Sequence, residues 1–437
     1  MVTSVMRSIL VELDELRTPQ QVIRVSYQQD IPVTSRIRAI IDTAPFQRLT
    51  RLSQLGLVTR VYPSAHHTRF EHSLGVYHLA LRYLEHFMGL SGFQDSVTNI
   101  EMETFVLSAL LHDIGHWAYC HPIEDMRIPG LSRHEQRAAQ IIFNSEIFDL
   151  IESQWACSSQ DVASFLSGEV QSAGGQLLFS MLSSPVDIDK MDYLQRDSLH
   201  AGVPYGRNYD QQRLISGLIA DPVSHQLALN SKSLIAAEMM VFARYVMFSE
   251  VYWHKTVRSA TAMLQCCVQQ MPADSNIEAI CSLSDCEAEK YIIDTTSAHT
   301  LAVDLFGPIR KLHKSVFQCN ASTNPDLYHR VAGLSYGELI IASGRLQELL
   351  NCGTIPNTVL IDAPPAELEV QFDLNVHDIA TDSFAPLSER SPVVRVLAEE
   401  QFDYHVKRVR IFVRSEFADT CLSRTNLAEL LLQSLPQ

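Results

Sequence analysis

The chain lacks the excess of basic charge that nucleic-acid binding requires. Its 34 Lys and Arg stand against 50 Asp and Glu, a formal charge of -16. Nucleic acid is therefore not the expected partner, although an acidic surface still accommodates a local pocket where a metal and a few basic side chains hold phosphate. A cysteine framework is missing as well. The nine cysteines are an odd number, scattered apart from the Cys266-Cys267 pair, so neither a disulfide-stapled fold nor a zinc knuckle is expected and the thiols read as buried or idle in a reducing compartment. Nor is there a long apolar run. The opening MVTSVMRSILVELDELRTPQQ meets acidic residues early, which is unlike a secretory signal or an anchor. No later stretch is apolar enough to span a bilayer. With no internal repeat and no low-complexity tract, the expectation is a cytoplasmic protein that does not associate with membranes.

What the chain has is enough length and apolar content, 437 residues at 46% hydrophobic, to bury a sizeable core in two or three globular units. Residues 1–35 read as a helical or irregular lead-in. From Arg36 to about residue 270 apolar positions recur at helical spacing, as at Ile37, Ile40, Ile41, Phe46, Leu49 and Leu52. Pro122, Pro129 and Gly130 mark a loop over residues 121–135, and PVDIDKMDYLQRDSLHAG reads as a helix from Pro185 to Gly202. Its Asp189, Tyr193, Arg196 and Asp197 share one face, a polar side for a cleft. Residues 271–354 read as a helical extension. From about 355 to 437, TVLIDAPP, LEVQFDLNV and KRVRIFVR alternate with turn residues and the helix NLAELLLQSL closes the chain. The fold class expected is mainly α, a helical core with a small α+β C-terminal region.

The sharpest chemical signal is His112-Asp113, followed by Gly115 and His116, at the polar end of the apolar helix that begins near Glu103. Alone, an adjacent His and Asp are compatible with a capped helix end. Ligand types on separate helices change that reading, with His72 upstream and Asp187 and Asp189 downstream. Imidazoles with carboxylates make a mixed N/O shell for a divalent ion such as Fe, Mn, Co, Ni, Zn or Mg. Such an ion acidifies its water and polarises a phosphoryl oxygen.

The ordered pattern H…HD…D within RFEHSLGV, LLHDIGH and VDIDKMDYLQRD resembles the HD-domain superfamily. More narrowly it resembles the SAM-and-HD-domain type deoxynucleoside triphosphate triphosphohydrolases and their bacterial relatives, over roughly residues 36–260. The resemblance implies that His72, His112, Asp113 and Asp189 hold the metal, with Asp187 as a helix cap. It implies that His116, His121 and His134 approach the scissile phosphate, His134 paired with Glu124 in place of the family's aspartate. Histidine suits protonation of a departing alkoxide near neutral pH. Phosphate contacts carry over to Arg69, Lys190 and Arg244, and sugar contacts to Gln54, Leu55, Tyr193, Asp197 and Tyr252.

Two departures bear on specificity. Trp253 stands where the family has a glutamine beside the sugar, and Thr50 stands where an arginine reads guanine in the activator site of the vertebrate member. Threonine has no guanidinium fork. Asp42, Gln47, Asp210, Arg213, His254 and Lys255 match other nucleotide-contacting positions and form the candidate regulatory set. The resemblance implies a homo-oligomer, dimer or tetramer, that hydrolyses deoxynucleoside triphosphates to the deoxynucleoside and inorganic triphosphate. The alternatives are an HD phosphohydrolase acting on another nucleotide or phosphodiester, because the metal shell is shared, and a catalytically silent nucleotide sensor.

Overall fold

A computed structural model describes residues 10–27, 29–273, 275–364, 374–397 and 404–436. The architecture is mainly α with small sheets at its margins. Three helices frame the centre. α1 (Arg69–Met88) buries Leu74, Tyr77, Leu81 and Leu84. It packs on α2 (Asn99–Leu111), which opens with a reciprocal cap between Thr98 and Glu101 and is buried along nearly its whole length. After α3 (His134–Phe143), α4 (Ile188–Ala201) crosses α1, starting on the Asp187 side chain and ending at Gly202 in the left-handed region, φ 71°. The helix thus begins three residues after Pro185, because Asp187 supplies the cap.

The apolar run after residue 233 divides into α5 (Leu234–Met247), a π-helical turn at Phe248–Tyr252, and α6 (Lys255–Gln269). None of the described helices is long and apolar enough to cross a membrane.

The sheets correct the expected organisation. Part of the lead-in forms the hairpin β1 (Val22–Val25) and β2 (Gln29–Pro32). Within the helical core, β3 (Leu218–Ala220) pairs with β4 (Leu227–Asn230). The expected helical extension contributes β5 (Lys314–Cys319), which pairs with β9 (Val409–Val413), itself flanked by β6 (Val359–Asp362). A separate apolar cluster lies here, with Leu327, Leu346, Val359, Ile411 and Leu431 fully buried. The α+β region therefore draws its first strand from well before residue 355. β7 (Asn375–Asp378), with β8 (Ser383–Pro386) on its outer edge, runs parallel to β4 and stitches the C-terminal segment to the core. The expected strand LEVQFDLNV lies mostly outside the described residues. Arg258 of α6 donates two hydrogen bonds to Asp362 of β6, at 2.6 and 3.2 Å, a buried ion pair across the junction.

Candidate metal centre

Three helix ends bring the expected ligands together. His72 sits one turn into α1, His112 and Asp113 follow the last turn of α2, and Asp189 lies in the first turn of α4. His72 Nε2 is 3.2 Å from His112 Nε2 and 3.0 Å from Asp189 Oδ1. Donor atoms of His72, His112 and Asp189 all lie within 4.8 Å of one another, and Asp113 stands beside them, with Oδ1 3.4 Å from His112 Nε2 and Oδ2 3.9 Å from His72 Nε2.

The donor chemistry fits a cation. Nδ1 of His72 donates to Asp192 Oδ2 at 2.8 Å, and Nδ1 of His112 donates to the Ala109 carbonyl at 3.0 Å. Each Nδ1 is thereby committed as a donor, so Nε2 is the atom that each ring would offer to a cation, and the two Nε2 atoms converge beside carboxylates. Burial alone disfavours a charged His72, yet hydrogen bonds to Asp189 and Asp192 outweigh it and raise the ring to about 10. That shift registers the negative field of the pocket. Burial also opposes ionisation of Asp113, but the positive charge around it, including the Arg69 guanidinium that donates to it, holds its carboxyl well below the usual range. Asp187 is not part of this group. It accepts from the Lys190 and Ser184 backbone N–H groups and from Lys190 Nζ, as a helix cap does.

The expected acid histidines form a second cluster against the first. The rings of His116 and His134 are 4.0 Å apart, and His121 lies 5.1 and 5.7 Å from them. His116 is buried, its Nδ1 3.1 Å from Asp113 Oδ1, and burial together with Arg69 keeps its ring neutral. His134 Nδ1 donates to Glu124 Oε2 at 2.9 Å, and the His134 backbone N–H donates to Oε1 at 2.7 Å. The longer glutamate therefore makes the pairing, because it also caps α3. Gly115 permits the approach of the two clusters, since a Cβ there would stand 2.0 Å from the His134 carbonyl oxygen. A cleft of about 900 Å³, lined by His112, His134, Asp187, Asp189 and Lys190 among others, opens onto both clusters.

The remaining expected contacts divide. Arg69 Nη1 donates to Asp113 Oδ2 at 2.7 Å, while its buried Nε has no partner. Arg244 lies against Phe248, with its guanidinium carbon 5.6 Å from the ring centre. Tyr193 and Tyr252 meet edge to face at 6.3 Å. Asp197 is deeply buried and both its oxygens are engaged, one by Tyr252 Oη at 2.6 Å and the other by His67 Nε2 at 2.8 Å. Gln54 and Leu55 precede a short turn of helix at Gly56–Arg60, and the Gln54 backbone N–H donates to the His67 carbonyl.

The regulatory candidates separate. Asp42 ends the helix Ser35–Ile41, Gln47 Nε2 donates to the Ile41 carbonyl, and Thr50 Oγ1 donates to the Gln47 carbonyl. Asp210 caps a short helix and Arg213 donates to the Lys232 carbonyl. His254 caps α6, and Lys255 lines a different cleft, of about 590 Å³, with Arg310, Lys311 and Lys314.

Sequence reading missed the layer behind the candidate ligands. Arg196 does not face the cleft. It is fully buried and gives two 2.8 Å hydrogen bonds to Asp192 and one of 3.2 Å to Glu71, which also meets His200. The available signal was the Asp192/Arg196 spacing of four, one helical turn.

The HD domain model matches residues 69–167 and the HD associated region model matches residues 209–433. An uncharacterized protein YwfO of Bacillus subtilis is 33% identical over 226 residues, covering 52% of this chain and 49% of that protein. The deoxynucleoside triphosphate triphosphohydrolase SAMHD1 homolog of Dictyostelium discoideum is 29% identical over 53% of this chain and 46% of that protein. Human SAMHD1 is 27% identical over 66% and 49%. The chain thus spans about half the length of these curated relatives. Among solved structures, a hypothetical protein from Aquifex aeolicus superposes with a TM-score of 0.72 at 25% identity, covering 92% of this chain and 99% of that one. A phosphohydrolase from Bacteroides thetaiotaomicron shares the fold, with a TM-score of 0.66 at 21% identity over 90% and 99%. With models matching both its catalytic-type core and more than half its length, the chain belongs to the HD-domain family, in the group that carries the HD associated region.

Proposed function

We propose that the chain is a metal-dependent phosphohydrolase that cleaves a deoxynucleoside triphosphate to the deoxynucleoside and inorganic triphosphate. The observation that carries this reading is the convergence of the His72 and His112 Nε2 atoms with Asp189, and with Asp113 beside His112, at the edge of a cleft that His134 and Lys190 also line. Support for the substrate comes from relatives whose names are those of deoxynucleoside triphosphate triphosphohydrolases. A divalent ion held by His72, His112, Asp113 and Asp189 supplies charge for a phosphoryl oxygen and acidity for a water.

Release of intact triphosphate requires water to add at the α-phosphorus and the Pα–O5′ bond to break. The 5′ oxygen then takes a proton, and His134, held at Nδ1 by Glu124, is assigned to give it from its protonated form, while neutral His116 beside it is assigned to contact the scissile phosphate. Arg69 retains an unpartnered Nε, and Lys190 lines the cleft, so both are assigned to the phosphates. The sugar is assigned to Gln54, Leu55, Tyr193, Asp197 and Tyr252. Lys255, with the basic side chains around it, is the strongest of the regulatory candidates for a second nucleotide. A homo-oligomer belongs to the same proposal.

A second reading is an HD phosphohydrolase for a different phosphate ester. It is favoured by Asp197, whose oxygens are both occupied within the protein. Incubation with each dNTP and NTP in Mn or Fe, with products identified by mass, separates the two. Triphosphate with deoxynucleoside supports the first, whereas pyrophosphate, phosphate or no turnover of any dNTP contradicts it.

A further inference from the structure

The histidine cluster beside the metal centre contains a thiol. Cys120 opens the short helix Cys120–Glu124 and is 2% exposed. One donor atom each from His116, Cys120 and His134 all lie within 4.8 Å of one another. His121 and Glu124, from the same short helix, surround the group, and Glu124 fixes His134 through Nδ1 so that Nε2 remains as its ligand atom.

This donor set differs in kind from the neighbouring one. The first centre offers nitrogen and carboxylate oxygen, whereas this one offers two imidazoles and a sulfur, the combination that selects zinc and related softer ions. From ordinary Zn–N and Zn–S lengths, ligand atoms of a tetrahedral site stand roughly 3.3–3.6 Å apart, so closure from within 4.8 Å needs shifts of no more than roughly 1–1.5 Å.

We propose that His116, Cys120 and His134 form a second metal site, for zinc or a comparably soft divalent ion, and that its occupation shuts the enzyme off. On binding, the Cys120 thiol releases its proton to solvent and the thiolate and two ring nitrogens enter the ion's shell, with no change of oxidation state. The ring assigned to proton donation, His134, and the ring assigned to the scissile phosphate, His116, are then consumed as ligands. The inhibitory consequence rests on the function proposed above, but the binding does not.

The test uses Co²⁺ as the probe, added to full-length protein whose first site is loaded with Mn. A thiolate-to-cobalt charge-transfer band in the near ultraviolet, with one further ion bound per chain, is the expected result. Cys120→Ser should abolish the band and the extra ion, leave Mn-supported turnover unchanged, and weaken inhibition by zinc more than about 100-fold, beyond the usual effect of losing an outer-shell partner. A band that is absent in the native protein, or that survives in Cys120→Ser, overturns the proposal. His134→Ala, which must also lose the band, serves if the serine variant does not fold. Because the band is read without substrate, a protein that binds cobalt through Cys120 yet turns over no nucleotide refutes only the functional reading.

Discussion

Asp192 holds His72 from behind. Its Oδ2 accepts from His72 Nδ1 at 2.8 Å while Arg196 grips both carboxylate oxygens at 2.8 Å, and none of the three is open to solvent. The pair reaches α1 only because residue 75 is glycine, since a Cβ there would lie 2.1 Å from Asp192 Oδ1. Asp192 is thus a positioning residue that acts through the tautomer of His72. Asp192→Asn should lower metal affinity by about 10–100-fold, as loss of an outer-shell carboxylate does. Gly75→Ala should lower it as well, by displacing the same carboxylate. Calorimetric titration with Mn checks both, and unchanged affinity in Asp192→Asn would remove the positioning role.

The joint between core and C-terminal sheet makes a stability prediction. Asp362 faces Arg258 at 2.6 Å and Arg410 at 3.6 Å, all buried. Asp362→Ala leaves two guanidinium groups without their carboxylate and should cost about 3–5 kcal/mol, the range for breaking a buried ion pair from one side. Denaturant unfolding measures it. A loss below about 1 kcal/mol would mean that water reaches the joint.

Two buried rings set a pH dependence. Burial lowers His78 of α1 and His313, just before β5, to about 4, from an ordinary value of 6.5. His313 Nε2 donates to the Asn357 carbonyl and its buried Nδ1 has no partner, as suits a neutral ring. Between about 6.5 and 4 the unfolded chain binds more protons than the folded one, so this contribution is full above 6.5 and is lost as pH falls through the window. The melting temperature should drop from pH 7 to pH 5, and His313→Gln should flatten part of that slope. A melting temperature that rises on acidification would contradict the sign.

Regulation carries a fourth expectation. Thr50 Oγ1 and the Gln47 amide are both tied to nearby backbone carbonyls, and the arginine fork that reads a guanine edge is missing, a loss worth about 1–3 kcal/mol of discrimination. Hydrolysis of a single non-guanine dNTP should therefore proceed without dGTP or GTP. Strict dependence on guanine nucleotide, followed by rate and by light scattering, would mean that another residue has taken over the arginine's role.

What was legible in the sequence was local. His112-Asp113 at the end of an apolar helix, and Asp187 as the cap two residues before Asp189, follow from helix-end chemistry within a few positions. Glu71 and Arg196, 125 residues apart, gave no such signal, and Arg196 was misassigned to the cleft face because a wheel records angle but not depth. The pairing of β4 with β7 joins segments about 150 residues apart, and strand order at that separation is set by tertiary packing. Cys120, a single cysteine among scattered ones, acquired meaning only when folding set it beside His116 and His134.

The central claim is that His72, His112, Asp113 and Asp189 hold one catalytic ion. Elemental analysis of the purified protein after dialysis against Mn, set beside Asp113→Asn and paired with dNTP hydrolysis, tests it most directly. An amide is a poor replacement for the carboxylate on a divalent ion, so the account predicts loss of the tightly held ion and of turnover together, with the helical circular dichroism retained. An Asp113→Asn protein that keeps both its metal and its rate would contradict it.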